Sequence, residues 1–96
     1  MTTVQWPPSW NTNLSAEQAE SLQRELSREL PQGHVLKSQT CVACAVGADP
    51  DDVVFRLSDG RYAVVHLTWR EESDVTWPYT QLFPSFRDFA LAGEWG

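Results

Sequence analysis

The sequence predicts a small α+β domain of order α-β-β-β-α, a three-stranded antiparallel meander packed on an N-terminal helix. Three observations carry this. Ala19, Leu22, Leu26 and Leu30 recur at helical spacing. Two apolar segments, 53–58 and 61–69, flank Asp59-Gly60, a strong hairpin signal because a two-residue reversal needs φ > 0 at both positions. Ser85 stands three residues ahead of Asp88 and leads into Phe86, Phe89 and Ala90, the pattern of a capped helix start.

Taken in order, residues 1–13 read as an extended lead-in. Trp6 and Trp10 flank Pro7-Pro8, and two tryptophans on one short segment argue that it packs on the domain formed by 14–96. Ser15 caps the first helix over 15–30, with Gln18 three residues on and Leu14 at the staple position. Glu17, Glu20, Gln23, Arg24, Glu25, Arg28 and Glu29 form its polar remainder, and Pro31 and Gly33 end it. Residues 34–47 read as the first strand, closed by a turn at Gly47 and Asp49-Pro50-Asp51. With a two-residue loop at Asp59-Gly60, Leu57 faces Tyr62, Phe55 faces Val64 and Val53 faces His66. One face then holds Val53, Phe55, Leu57, Tyr62, Val64, His66 and Thr68. The other holds Val54, Arg56, Ala63, Val65, Leu67 and Trp69. Both are largely apolar, which predicts a sheet covered on both sides. Residues 70–83 read as a loop, charged over Arg70–Asp74 and then aromatic and extended from Trp77 to Phe83. Gly93 is placed at the end of the last helix.

Seven Lys and Arg stand against 13 Asp and Glu, a net charge of -6. A nucleic-acid binder needs a basic footprint, and the cations here are scattered, so nucleic acid and anionic membrane surfaces are disfavoured as partners. A basic partner is compatible with this balance, which also serves plain solubility. No run approaches 18 apolar residues and the first 13 lack a basic start and an apolar core, so neither a membrane span nor a signal peptide is read, and a cytoplasmic location is expected. The five tryptophans, Trp6, Trp10, Trp69, Trp77 and Trp95, supply apolar mass to a small core, and some of them can face a partner.

The run DDVVFRLSDGRYAVVHLTW, Asp51 to Trp69, followed by WPYTQLFPSFRDF, resembles short uncharacterised bacterial proteins that share a DDVxF…DG…VHLTW…PSF pattern. The resemblance reaches back to Glu29-Leu30-Pro31 and His34 and covers more than half of the chain. It implies no activity.

The motifs that carry chemistry are few. Cys41-Val42-Ala43-Cys44 has redox or zinc spacing, but on a strand residues three apart point to opposite faces and two more ligands would be needed for zinc. Free cysteines are expected, with no metal and no cofactor. Asp49-Pro50-Asp51-Asp52 lacks the ligand alternation and central Gly of a calcium loop and reads as a turn. His66 is the candidate base, with Asp51 or Asp52 as its acid and Tyr62 and Thr68 on its face. The reading preferred is a non-enzymatic protein-binding domain that works through an aromatic sheet face, with Trp69, Trp77, Tyr79, Tyr62 and His66 as contacts. It is immunity-like toward a basic partner or self-associating as a homodimer. The alternative is a small hydrolase or ligand-binding protein using His66, Asp52 and Tyr62.

Overall fold

The structure, a computed structural model, describes residues 5–92. Helix α1 (Ala16–Glu29) is followed by β1 (Cys41–Val46), β2 (Asp52–Leu57), β3 (Tyr62–His66), β4 (Tyr79–Phe83) and a short α2 (Phe86–Ala90). The strands form one antiparallel sheet in sequence order. The class is the one expected, with four strands rather than three. Residues 1–4 of the lead-in, Gly93 as helix stop and Trp95 lie outside the described residues.

The fourth strand falls inside the segment read as a loop, and its prolines explain both the strand and its concealment. Leu67 N–H donates to Asp51 O, and Leu57 N–H to Arg61 O. Antiparallel alternation then turns the main chain of Ala63 and Val65 toward β2 and that of Tyr62, Val64 and His66 toward β4. In β4, Tyr79, Gln81 and Phe83 bond inward, opposite His66, Val64 and Tyr62. Thr80 and Leu82 face the open edge, and so do the flanking positions of Pro78 and Pro84. A proline has no N–H to leave unpaired, which suits it to the outward positions of an edge strand. The Trp77-Pro78 bond is cis.

The hairpin register is one residue away from the expected one. Asp52 pairs with His66, Val53 with Val65, Val54 with Val64, Phe55 with Ala63 and Arg56 with Tyr62. The loop has three residues, Ser58-Asp59-Gly60: Gly60 N–H donates to Leu57 O, and Gly60 alone carries a positive φ, of 91°. The Asp59 carboxylate accepts from the Arg61 N–H and from Arg61 Nε, which holds Asp59 out of the left-handed region that a two-residue loop would demand. The result is a turn followed by a glycine bulge. A shift of one residue exchanges the faces of one strand relative to the other. Val53, Phe55 and Leu57 therefore share a face with Ala63, Val65 and Leu67, and Val54 joins Val64 on the other.

The first of those faces lies under α1. Leu22, Leu26, Leu30 and Leu36 pack on Val53, Phe55, Leu57, Ala63, Val65 and Leu67 as one cluster. Ser15 caps α1 by accepting from Gln18 N–H, as the sequence indicates, and Leu30 ends it ahead of Pro31. The second face is covered by α2 and the N-terminal segment. Phe89 sits wholly buried among Trp10, Ala45, Val54, Val64 and Phe83, and Trp6 meets the edges of Phe86 and Phe89 at centroid distances of 4.9 and 5.4 Å. Ser85 caps α2 by accepting from Asp88 N–H.

Two further expectations change. The first strand begins at Cys41, not residue 34, because residues 34–39 turn on themselves: Pro31, His34 and Leu36 carbonyls each accept from the N–H three residues on. Gly33, at φ 89°, starts that path. Glu29, read as part of the polar face, is wholly buried. It follows Leu22 and Leu26 by helical steps and so belongs to the inward stripe.

Candidate functional site

The predicted site residues divide between two places. Tyr62 lies at the covered end of the second face, half-buried, with its ring 5.5 Å from that of Phe86. His66 lies four residues along the same strand, about 13 Å away by strand rise. The structure thus does not bring Tyr62 to His66. Thr68 also leaves the His66 face, because its N–H and hydroxyl donate to Glu29 Oε1 at 2.8 and 3.1 Å.

What gathers around His66 is the end of the sheet formed by the β1–β2 turn, the end of β3 and the start of β4. The one-residue register shift puts Asp52 directly opposite His66, and His66 Nδ1 donates to Asp52 Oδ1 at 2.7 Å. That hydrogen bond, with the charges of Asp52, Asp49 and Asp51 behind it, raises the imidazole pKa above its ordinary value despite some loss from burial. Asp51 is occupied elsewhere: its Oδ1 accepts from the Trp69 indole N–H at 2.6 Å. Asp49 closes the turn, with its carboxylate accepting from Asp51 N–H.

Two of the aromatic candidates, Trp69 and Tyr79, frame this acidic corner, and Trp77 precedes Tyr79 by two residues on the incoming connection. Tyr79 is the cross-strand neighbour of His66. Tyr79, Trp69 and Trp77 remain 59%, 50% and 44% exposed, whereas Val64 and Phe83 farther along the same face are buried under α2 and Trp10. The open part of the aromatic surface is therefore the end of the sheet and not a whole face. Around it the turn 49–52 and the connection 67–78 carry Asp49, Asp51, Asp52, Glu71, Glu72 and Asp74 against a single Arg70, and Arg70 is paired with Glu72.

Two supporting residues were not singled out in the sequence. His34, buried, accepts from Leu36 N–H at Nδ1 and so presents its Nε2 to Pro78 O at 3.1 Å, which ties the turn after α1 to the start of β4. Glu29 grips the end of β3, as described below. The signal for Glu29 was its position three residues after Leu26.

Chemically the corner can do three things. Asp49, Asp52 and His66 each offer a ligand atom within 4.8 Å of the others. An ion bound at ~2 Å in tetrahedral geometry keeps its ligand atoms about 3.3 Å apart, so a cation would have to part the 2.7 Å His66–Asp52 bond. As an acid–base pair, His66 and Asp52 have the right contact, but the Thr68 hydroxyl is bonded to Glu29 and Tyr62 lies at the far end of the strand. As a recognition surface, the corner combines exposed aromatic rings with more carboxylates than cations, the complement of a cationic, amphipathic segment. Cys41 and Cys44 are free; Cys44 is the extra residue of a bulge between Ala43 and Ala45, and burial pushes both thiols up. Among the described residues no helix is long and apolar enough to cross a membrane. Comparison with protein families, curated proteins and solved structures returns no match.

Proposed function

We propose that the protein is a non-enzymatic binding domain whose acidic, aromatic sheet end takes a basic segment of another protein. The observation that carries this reading is the coincidence of Trp69 and Tyr79, both substantially exposed, with the aspartates of the 49–52 turn: Trp69 bonds Asp51, and Tyr79 neighbours the His66 that bonds Asp52. Large aromatic side chains supply most of the energy at protein interfaces. Surplus carboxylates around them favour encounter with a cationic partner and penalise an acidic one. An immunity-like role toward a basic toxin is one biological form of this activity. Self-association through the same surface is the lesser form, because it would set the aspartates of one copy against those of another.

The test is a titration of the purified chain with an arginine-rich peptide of about ten residues, with a glutamate-rich peptide as control, at low and moderate salt. Saturable micromolar binding to the first alone is expected. It should weaken with salt, and at least tenfold on W69A/Y79A. Equal binding by that double variant, or no binding at millimolar peptide, overturns the proposal. If hydrolysis of a small ester or amide is lost on H66A with unchanged melting, the enzymatic alternative takes its place.

A further inference from the structure

We propose that Glu29 is a positioning residue for the aromatic end of the sheet: its buried carboxylate locks the Thr68–Trp69 main chain so that the Trp69 indole projects outward beside Asp51. The inference rests on the reading above for its functional meaning and on independent geometry for its structural content.

Glu29 stands where three local rules oppose a carboxylate. It closes the last turn of α1, where the helix dipole disfavours negative charge. It lies one turn after Glu25, and a side-chain hydrogen bond between the two raises the Glu29 pKa further, after burial as the larger cause. It is wholly buried on the stripe of Leu22 and Leu26, where another leucine would pack at no electrostatic cost. Residues that break local rules in this way are expected where they serve something other than the core.

What Glu29 serves is visible at its oxygens. Oε1 accepts from Thr68 N–H at 2.8 Å and from the Thr68 hydroxyl at 3.1 Å, and Oε2 accepts from Trp69 N–H at 2.8 Å. Both carboxylate oxygens are thus spent on two successive residues just beyond β3. The second of these, Trp69, has φ 62°, a left-handed conformation that costs energy for any residue with a Cβ and is rare for a bulky one. The strand would otherwise run on and carry Trp69 along the sheet. The clamp holds the chain in the strained turn, and the indole emerges half-exposed with its N–H on Asp51 at 2.6 Å. A buried side chain at one end of α1 thereby fixes a ring on the surface 40 residues later.

The experiment uses the full chain labelled with 5-fluorotryptophan, whose Trp69 fluorine resonance is assigned by W69F. E29Q keeps the size of the side chain but replaces one acceptor oxygen with a donor, so one of the two main-chain N–H groups loses its partner. The Trp69 resonance should shift or broaden while those of Trp6, Trp10 and Trp77 stay in place, and affinity for the arginine-rich peptide should fall at least fivefold. L22A, a destabilised core variant of the same helix, should lower the melting temperature yet leave the Trp69 resonance unmoved and the affinity within twofold. In the wild-type protein, which needs no variant to fold, the Thr68 and Trp69 amides should exchange with deuterium at least tenfold more slowly than those of Glu71 and Ser73. An unmoved Trp69 resonance in E29Q, or a Trp69 amide that exchanges as fast as its loop neighbours, overturns the proposal. If the wild-type chain binds no peptide, the functional reading fails, and the resonance and exchange results still decide the clamp.

Discussion

The His66–Asp52 pair makes a prediction in which sign and size both matter. In a double-mutant cycle of H66A and D52A, the coupling energy should be largest at mildly acidic pH and shrink as pH rises. The Asp52 hydrogen bond holds the folded imidazole pKa above the unfolded value, which is about 6.5. The folded state therefore binds the proton more tightly than the unfolded one. The stability this contributes is complete below about pH 6.5 and is lost as pH rises through the higher, folded value. The geometry limits the amount. The bond is 2.7 Å, but the side chains are 41% and 35% exposed, so the attraction is screened by water: at about 4 Å between charge centres Coulomb's law in bulk water gives about 1 kcal/mol, and exposed pairs measured in cycles return roughly 0.2–1 kcal/mol. A coupling of about 0.7 kcal/mol at pH 5.5, falling to about 0.3 kcal/mol at pH 9, is expected. Urea unfolding at pH 5.5, 7 and 9 measures it, and for a domain of this size the difference corresponds to about 2–3 °C in Tm. A coupling that rises with pH would show that the neutral imidazole is the form the fold favours. A coupling above about 3 kcal/mol would mean that the pair is desolvated as in a working active site. Either result refutes the reasoning.

Phe89→Ala should cost about 3–5 kcal/mol, because it empties the centre of the second core layer, and should detach α2, visible as lost aromatic circular dichroism before global melting. Gly47→Ala should destabilise by about 1–3 kcal/mol, since a Cβ there would come within 2.9 Å of the Trp10 ring; an unchanged urea midpoint would show that the ring yields freely. The Cys41 and Cys44 thiols, pushed up by burial, should react with a disulfide reagent at pH 7.5 at least tenfold more slowly in the native state than in urea. Pro84→Thr restores an N–H at the open edge of β4 and should raise the sedimenting mass of the concentrated protein relative to wild type.

Much of this architecture was legible because it rests on local chemistry. The Ser15 and Ser85 caps, the leucine stripe of α1 and the reversal at Asp59-Gly60 are encoded by neighbours in sequence, and each forms where its residues stand. The errors outside the hairpin register have a different origin. Residues 34–40 look strand-like in composition, yet Gly33 and the His34 ring bend them through successive turns, a choice made by contacts with Leu36 and with Pro78 far along the chain. The strand at Tyr79–Phe83 hides between two prolines that read as breakers until the sheet order shows that both face its open edge. Glu29 reads as polar surface until its distant partners, Thr68 and Trp69, are known.

The hairpin shows how a single local bond decides the chemistry of a remote corner. Asp-Gly permits a two-residue reversal, but it does so only if the aspartate accepts a left-handed backbone. Here its carboxylate finds a better use in Arg61, whose N–H and guanidinium it accepts at 3.1 and 2.8 Å, and the loop takes a third residue. Every pairing beyond it moves by one. Without that move Val53 would oppose His66, and the imidazole would lie over a methyl-lined strand with no anion opposite. With it Asp52 meets His66 directly, and Asp51 is left to receive the Trp69 indole that Glu29 turns outward. The acidic, aromatic end of the sheet thus depends on four carboxylates, those of Glu29, Asp51, Asp52 and Asp59, each satisfying main-chain or side-chain donors of its own. The surface proposed for a basic partner follows from how those donors were satisfied, not from the aromatic residues alone.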